Sequence, residues 1–117
     1  MIKHHKTQEY QIEQYDENIA SILIRKPYSK EFDDNQFKCQ ILAVLKPILA
    51  NSEVLAKDYI VLVDSTTNVF KKEYSHYDTK VEIYLKFKKK IPFKEKVQYL
   101  EENVINFIIS IIKEDCH

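Results

Sequence analysis

Six lysines lie close together between residues 86 and 96. Pro92 sits among them where a first-turn proline of a helix is expected, so the cluster would lie beside a helix N-terminus, a place where positive side chains can bind phosphate groups. The same lysines can instead cover a solvated strand and protect a sheet edge from aggregation. We favour this second interpretation, because lysine without arginine or a stacking aromatic side chain is a weak signal for nucleic acid. The phosphate-binding candidates are Lys86, Lys88, Lys89, Lys90, Lys94 and Lys96.

The other residues capable of chemistry form no catalytic or metal-binding pattern. Ser75-His76-Tyr77-Asp78 holds the residue types of a hydrolase triad, but neighbours within a predicted turn cannot hydrogen-bond in series. The acid pairs at 33–34 and 101–102 are typical of helix caps and solvated helix faces. Neither the i, i+4 nor the C-x-x-C spacing of a zinc site occurs among His4, His5, His76, Cys39, Cys116 and His117.

The composition narrows the possible functions further. The 117 residues include no glycine, which phosphate-binding loops and the nucleophile elbow of hydrolases require. We therefore predict that the protein is not an enzyme and uses no metal or cofactor. The absence of an apolar run long enough for a membrane span or a signal peptide, together with only two cysteines, predicts a cytoplasmic protein.

The last predicted helix carries more apolar surface than one sheet can cover. Seven of the nine residues from Val104 to Ile112 are apolar. A helix that packs on a single sheet needs an apolar stripe over only part of its circumference. We expect the sheet to be contacted by Val97, Leu100, Val104, Phe107 and Ile111. The predicted interface, facing either the N-terminal helices or another chain, is Ile105, Ile109 and Ile112.

The elements that position these residues follow from apolar spacing. Helical spacing from Ile12 to Leu23 predicts a helix over residues 8–25 after Thr7, although a hairpin that turns at residues 16–18 fits the same segment. A second helix begins at Asp33 or Asp34, and Pro47 kinks or ends it. Its predicted core face carries Phe37, Ile41, Val44, Leu45 and Ile48. Strands are predicted at 59–63, 69–74 and 81–87, with turns at 64–68 and 75–78. Alternation in the last strand places on its core face Val81, Ile83, Leu85 and Phe87.

These elements predict an α+β fold with two N-terminal helices, a two- to three-stranded antiparallel meander and a long C-terminal helix packed on one face of the sheet. Residues 1–117 are expected to form a single domain, in which an N-terminal helix at 1–26 precedes an α-β-β-α core at 33–117.

The order of elements from residue 36 to 113 resembles that of the small tail-completion and tail-terminator proteins of tailed bacteriophages. The resemblance rests on the segments 59–63, 81–86 and 97–104, in which an alternating strand leads into a long C-terminal helix. It implies a non-enzymatic structural subunit that works by protein–protein contacts, forms a homo-oligomer or larger assembly, and belongs to the head–tail junction of a virion.

Two alternatives stay open. The same order resembles the double-stranded-RNA-binding domain, α-β-β-β-α, in which lysines at the start of the last helix bridge a major groove. The lysine cluster at 86–96 would fill that role. Size and composition also permit a small immunity or anti-defence protein that acts as a binding antagonist.

Overall fold

The computed structural model describes residues 3–28, 34–71 and 74–114. The described elements are three strands, a long helix, two long strands, and two further helices joined by one π-helical turn. The bounds are β1 (His4–Lys6), β2 (Tyr10–Gln14), β3 (Ile19–Tyr28), α1 (Asp34–Asn51), β4 (Leu55–Lys71), β5 (Tyr74–Phe87), α2 (Phe93–Leu100), the π turn (Glu101–Ile105) and α3 (Asn106–Glu114).

The predicted helix over residues 8–25 is wrong, and the hairpin alternative is correct. Burial alternates along β3, where Ala20, Ile22 and Ile24 are buried, and this is the period of a strand. The segment imitates helical spacing because a short turn at residues 16–18 separates two strands. Thr7 does not cap a helix: its Oγ1 accepts hydrogen bonds from the backbone N–H groups of Glu9 and Tyr10, both at 3.2 Å, and this closes the β1–β2 turn.

The five strands form one antiparallel sheet in the order β1-β2-β3-β5-β4. The prediction of two N-terminal helices and a two- to three-stranded meander is therefore wrong, although the α+β class holds. β3 and β4 both pair antiparallel with β5, so they run parallel to each other. Two parallel strands of one sheet need a crossover connection, and α1 provides it between β3 and β4.

Two predicted turns lie inside long strands. β4 continues through residues 64–68, and β5 begins at Tyr74 and includes residues 75–78. These two segments pair with each other, with Asp64 opposite Lys80 and Thr66 opposite Asp78. Residues that favour turns locally are held in strands because each faces a paired partner on the neighbouring strand.

The core lies between one face of the sheet, the inner face, and the helices. Its central row crosses four strands in register through Ile12, Ile22, Ile83 and Val61. The predicted strand residues Val81, Ile83, Leu85 and Phe87 are all buried, as expected. From α1 the core receives Phe37, Ile41, Leu45 and Leu49, which recur every four residues. Pro47 does not end α1, which continues to Asn51.

The π-helical turn changes which side chains of the C-terminal helix face the core, so the predicted core face is partly wrong. Leu100, Glu101 and Asn106 keep right-handed helical backbone angles, so α2, the π turn and α3 form one continuous helix. A π turn holds one residue more than an α turn, and later side chains are rotated by about 100°. Ile108 is buried in the core, whereas Phe107, predicted there, is 52% exposed. Within the described residues, no helix is long and apolar enough to cross a membrane.

Candidate interaction surface

The sheet has one covered face and one bare face. The buried helical residues join the inner-face residues in a single hydrophobic core. Side chains that alternate with them along the strands point to the opposite, bare face, on which no described helix packs. One row of this face runs through Glu13, Ser21, Tyr84 and Ile60. An antiparallel sheet can leave one face to water, but that face is then usually polar.

Apolar and aromatic side chains nevertheless gather on the bare face, and we name Tyr15, Tyr84, Ile60 and Leu62 the bare-face patch. Tyr15 meets Tyr84 edge to face, with ring centroids 5.4 Å apart. Tyr84 lies directly opposite Ile60 in the β4–β5 register. Tyr15 is 70% exposed, Ile60 57% and Leu62 50%. A contiguous group of this kind is typical of a contact surface, whereas single exposed apolar residues are ordinary.

Charges of both signs lie beside the patch. Lys80 forms an ion pair with Glu82 at 2.9 Å, and the hydroxyl of Tyr84 donates a hydrogen bond to Glu82 at 3.1 Å. The hydrogen bond from Lys80 lowers the pKa of Glu82. Burial raises the pKa of Tyr84, and the Glu82 carboxylate adds to the rise. A carboxylate at the centre of the surface favours a protein partner over a polyanion.

Burial removes one member of the lysine cluster from the surface, and two others make local contacts. Lys96 is 1% exposed, and its Nζ donates a hydrogen bond to the backbone oxygen of Glu17 at 2.6 Å and lies 5.6 Å from the centre of the Phe87 ring. Burial lowers the pKa of Lys96. Lys90 pairs with the Glu17 carboxylate at 2.7 Å, and Lys88 donates to the backbone oxygen of Ser52 at 3.1 Å. Lys88 and Lys90 remain exposed, as do the other three members, Lys86, Lys89 and Lys94.

The predicted interface residues of the last helix are separated by the fold. Ile105 is fully buried in the core, and Ile109 is partly buried against it. The side chain of Ile112 lies outside the part of the molecule that is described. Ile109 and Asn106 also line a depression of ≈ 490 Å³ between α3 and the β1–β2 turn. Among the helix residues whose side chains are described, Phe107 is the large apolar residue that is exposed.

A polar cluster at the β1–β2 edge was missed by the sequence interpretation. The hydroxyl of Tyr10 donates a hydrogen bond to Oε2 of Glu101, and Nε2 of His5 lies 3.6 Å from the same oxygen. Burial, reinforced by Glu101, raises the pKa of Tyr10 to about 12. Tyr10 therefore stays protonated at neutral pH and acts as a donor, not as a base. The cluster ties the first hairpin to the π turn. No sequence pattern indicates this cluster, since Glu101 is typical of a solvated helix face.

The described residues contain no cluster suited to a metal ion, and the segment Ser75–Asp78 lies in a strand. Across residues 3–28, 34–71 and 74–114, no group of three or more His, Cys, Asp or Glu side chains could hold a metal ion. Ser75, His76, Tyr77 and Asp78 follow one another along β5, but their side chains lie outside the described part.

No model of a protein family matches this chain, and no curated protein or solved structure matches it either.

Proposed function

We propose that this protein is a non-enzymatic assembly subunit that associates with copies of itself through protein–protein contacts. The observation that carries the proposal is the bare-face patch. In it, Ile60 (57% exposed) and Leu62 (50% exposed) lie beside two tyrosines that contact each other. Burying apolar side chains of this size against a partner removes apolar surface from water, which lowers the free energy and favours association.

The total surface supports the same proposal. The chain exposes 7900 Å², whereas a compact monomer of 14.0 kDa exposes about 6,700 Å². The excess of roughly 1,200 Å² is larger than the roughly 800 Å² that each partner buries in a standard interface.

The phage head–tail junction is the biological setting that we propose for this assembly, with the virion or the cytoplasm as its location. Its support is the order α1, β4, β5 and C-terminal helix, which is the order on which the resemblance rests. The three N-terminal strands are an addition to that order. The duplex-RNA alternative has less support, because two strands rather than three separate the described helices and Lys96 is buried.

Energy transfer between separately labelled copies tests the proposal. Cys39 is exposed, so a Cys116→Ser background allows one donor or one acceptor dye per chain. On mixing, we expect energy transfer that disappears on dilution, because the copies exchange within a reversible assembly. Energy transfer that is absent at every concentration up to the solubility limit would contradict self-association.

A further inference from the structure

The two edge strands of the sheet differ in length and in the position of their charged residues. β1 forms one edge and is only three residues long, with His4 and Lys6 exposed. Short, charged edge strands discourage pairing with other chains. β4 forms the other edge and spans 17 residues. Its charged residues Lys57 and Asp58 fall in an irregular segment before Tyr59, and Asp64 and Lys71 follow Val63, so the stretch from Tyr59 to Val63 carries no charge.

One stretch of β4 is apolar on both faces. From Tyr59 to Val63 the sequence is Tyr-Ile-Val-Leu-Val, without lysine or proline. Ile60 and Leu62 project from the bare face, while Val61 is buried on the inner face. β4 is the last of the five described strands, so its outer backbone groups face away from the sheet. A long apolar edge of this kind is a template for strand addition.

We propose that β4 pairs antiparallel with β4 of a second copy, about a two-fold axis through Leu62, to form a continuous ten-stranded sheet. The proposal rests on the proposed function and names both the partner and the surface.

Side-chain alternation and charge pairing favour this register. Side chains keep the same face across the new pair only if the axis passes through a residue position. An axis through Leu62 places Val61 opposite Val63 of the second copy, which extends the core row, and it opposes no like charges. An axis through Val61 would place Asp58 opposite Asp64, and one through Asp64 would place two aspartates together.

Charge and area favour a second copy as the occupant. The chain carries 18 basic and 18 acidic residues, so two copies do not repel each other through net charge. Pairing places Leu62 directly opposite Leu62 of the second copy on the bare face, with Ile60 diagonal to that residue, and this shields the two aliphatic side chains of the patch. The excess surface of roughly 1,200 Å² is enough to supply an interface of standard size.

A disulfide trap tests the register directly. In a Cys39→Ser/Cys116→Ser background, Leu62→Cys places two cysteines opposite each other, with Cα atoms about 4.5–5.5 Å apart, and this suits a disulfide. We expect mild oxidation to link the copies. The matched control is Ile60→Cys, whose copies are offset by about 13 Å along the strands and should not link. Links through Ile60→Cys and not through Leu62→Cys would overturn the register and with it the proposal.

A charge substitution separates this proposal from the proposed function. Leu62→Lys should dissociate the dimer and leave the fold intact, because the side chain is half exposed, whereas Tyr15→Lys, on the bare face but away from the edge, should leave the dimer unchanged. Far-UV circular dichroism and the unfolding midpoint confirm that each variant folds. If the native chain self-associates and Leu62→Lys associates equally well, the edge proposal is wrong while the proposed function stands. A native chain that is monomeric at every concentration would overturn both.

Discussion

At the scale of single residues, two of the polar contacts that hold the C-terminal helix to the rest of the molecule come from charged helix side chains. Lys96 reaches back to the β2–β3 turn at Glu17, and Glu101 receives the hydroxyl of Tyr10. Neither contact is readable in the sequence, since each joins residues more than 75 positions apart. Both involve ionisable side chains, so they give the stability of the fold a dependence on pH.

The raised pKa of Tyr10 predicts that stability falls in alkaline solution. The folded pKa of about 12 lies above the unfolded value of 10.0, so the contribution is fully present below pH 10 and is lost as the pH rises through 12. Tyr10→Phe should remove this loss, which we expect to be about 1–2 kcal/mol because solvent partly screens the pair. Urea unfolding of both proteins between these pH values measures it. Equal slopes for the two proteins would contradict the role of Tyr10.

The rotated face of the C-terminal helix predicts a large loss of stability on truncating one residue and a small loss on truncating its neighbour. Ile108→Ala should lower the free energy of unfolding by about 2–5 kcal/mol, because it leaves a cavity in the core. Phe107→Ala should change it by no more than about 0.5–1 kcal/mol, because Phe107 is 52% exposed. Denaturant unfolding of the two variants is the measurement, and a larger loss for Phe107→Ala would show that the π turn does not rotate this face.

At the scale of elements, the sequence predicts best where one periodicity extends over a whole element. The alternation in β5 and the apolar spacing of α1 identify their core faces correctly, and the C-terminal helix is found at its proline. The N-terminal hairpin is mistaken for a helix because two five- to ten-residue strands, separated by a short turn, place isoleucines at helical intervals. The length of β4 is underestimated because Asp, Ser, Thr and Asn favour turns until a partner strand pairs with them.

The candidate surface could be predicted only in part. The sequence indicates surplus apolar surface but places it on the last helix, where the π turn and α1 bury Ile105 and Ile108. The bare-face patch depends on which strands become neighbours, and Tyr15 and Tyr84 meet only because β5 inserts between β3 and β4. Local patterns carry no information about that insertion.

The β5–α2 junction predicts that duplex RNA does not bind. Lys96 is buried and Lys90 is paired with Glu17, so two of the six lysines are engaged within the fold. We expect no binding in a low-salt titration. Binding that weakens with a log–log slope of about 0.7–0.9 per phosphate, and that the combined Lys89→Glu, Lys90→Glu and Lys94→Glu change abolishes, would contradict this expectation and support the RNA-binding alternative.

At the scale of the whole molecule, a single sheet with helices on one side makes a thin, extended shape. Its principal extents are 51 × 32 × 19 Å, and its radius of gyration of 15.1 Å exceeds the roughly 13.4 Å expected for a compact chain of this length. A thin molecule has much surface for its mass. Association through the β4 edge would enlarge the sheet and lower the exposed surface of each copy, which connects the shape to the proposed assembly.

Sedimentation equilibrium of the native chain tests the central claim most directly. The proposed β4-paired dimer predicts a mass twice the 14.0 kDa of one chain at micromolar concentration, and a return to 14.0 kDa in Leu62→Lys. A native mass of 14.0 kDa at every concentration would contradict the account.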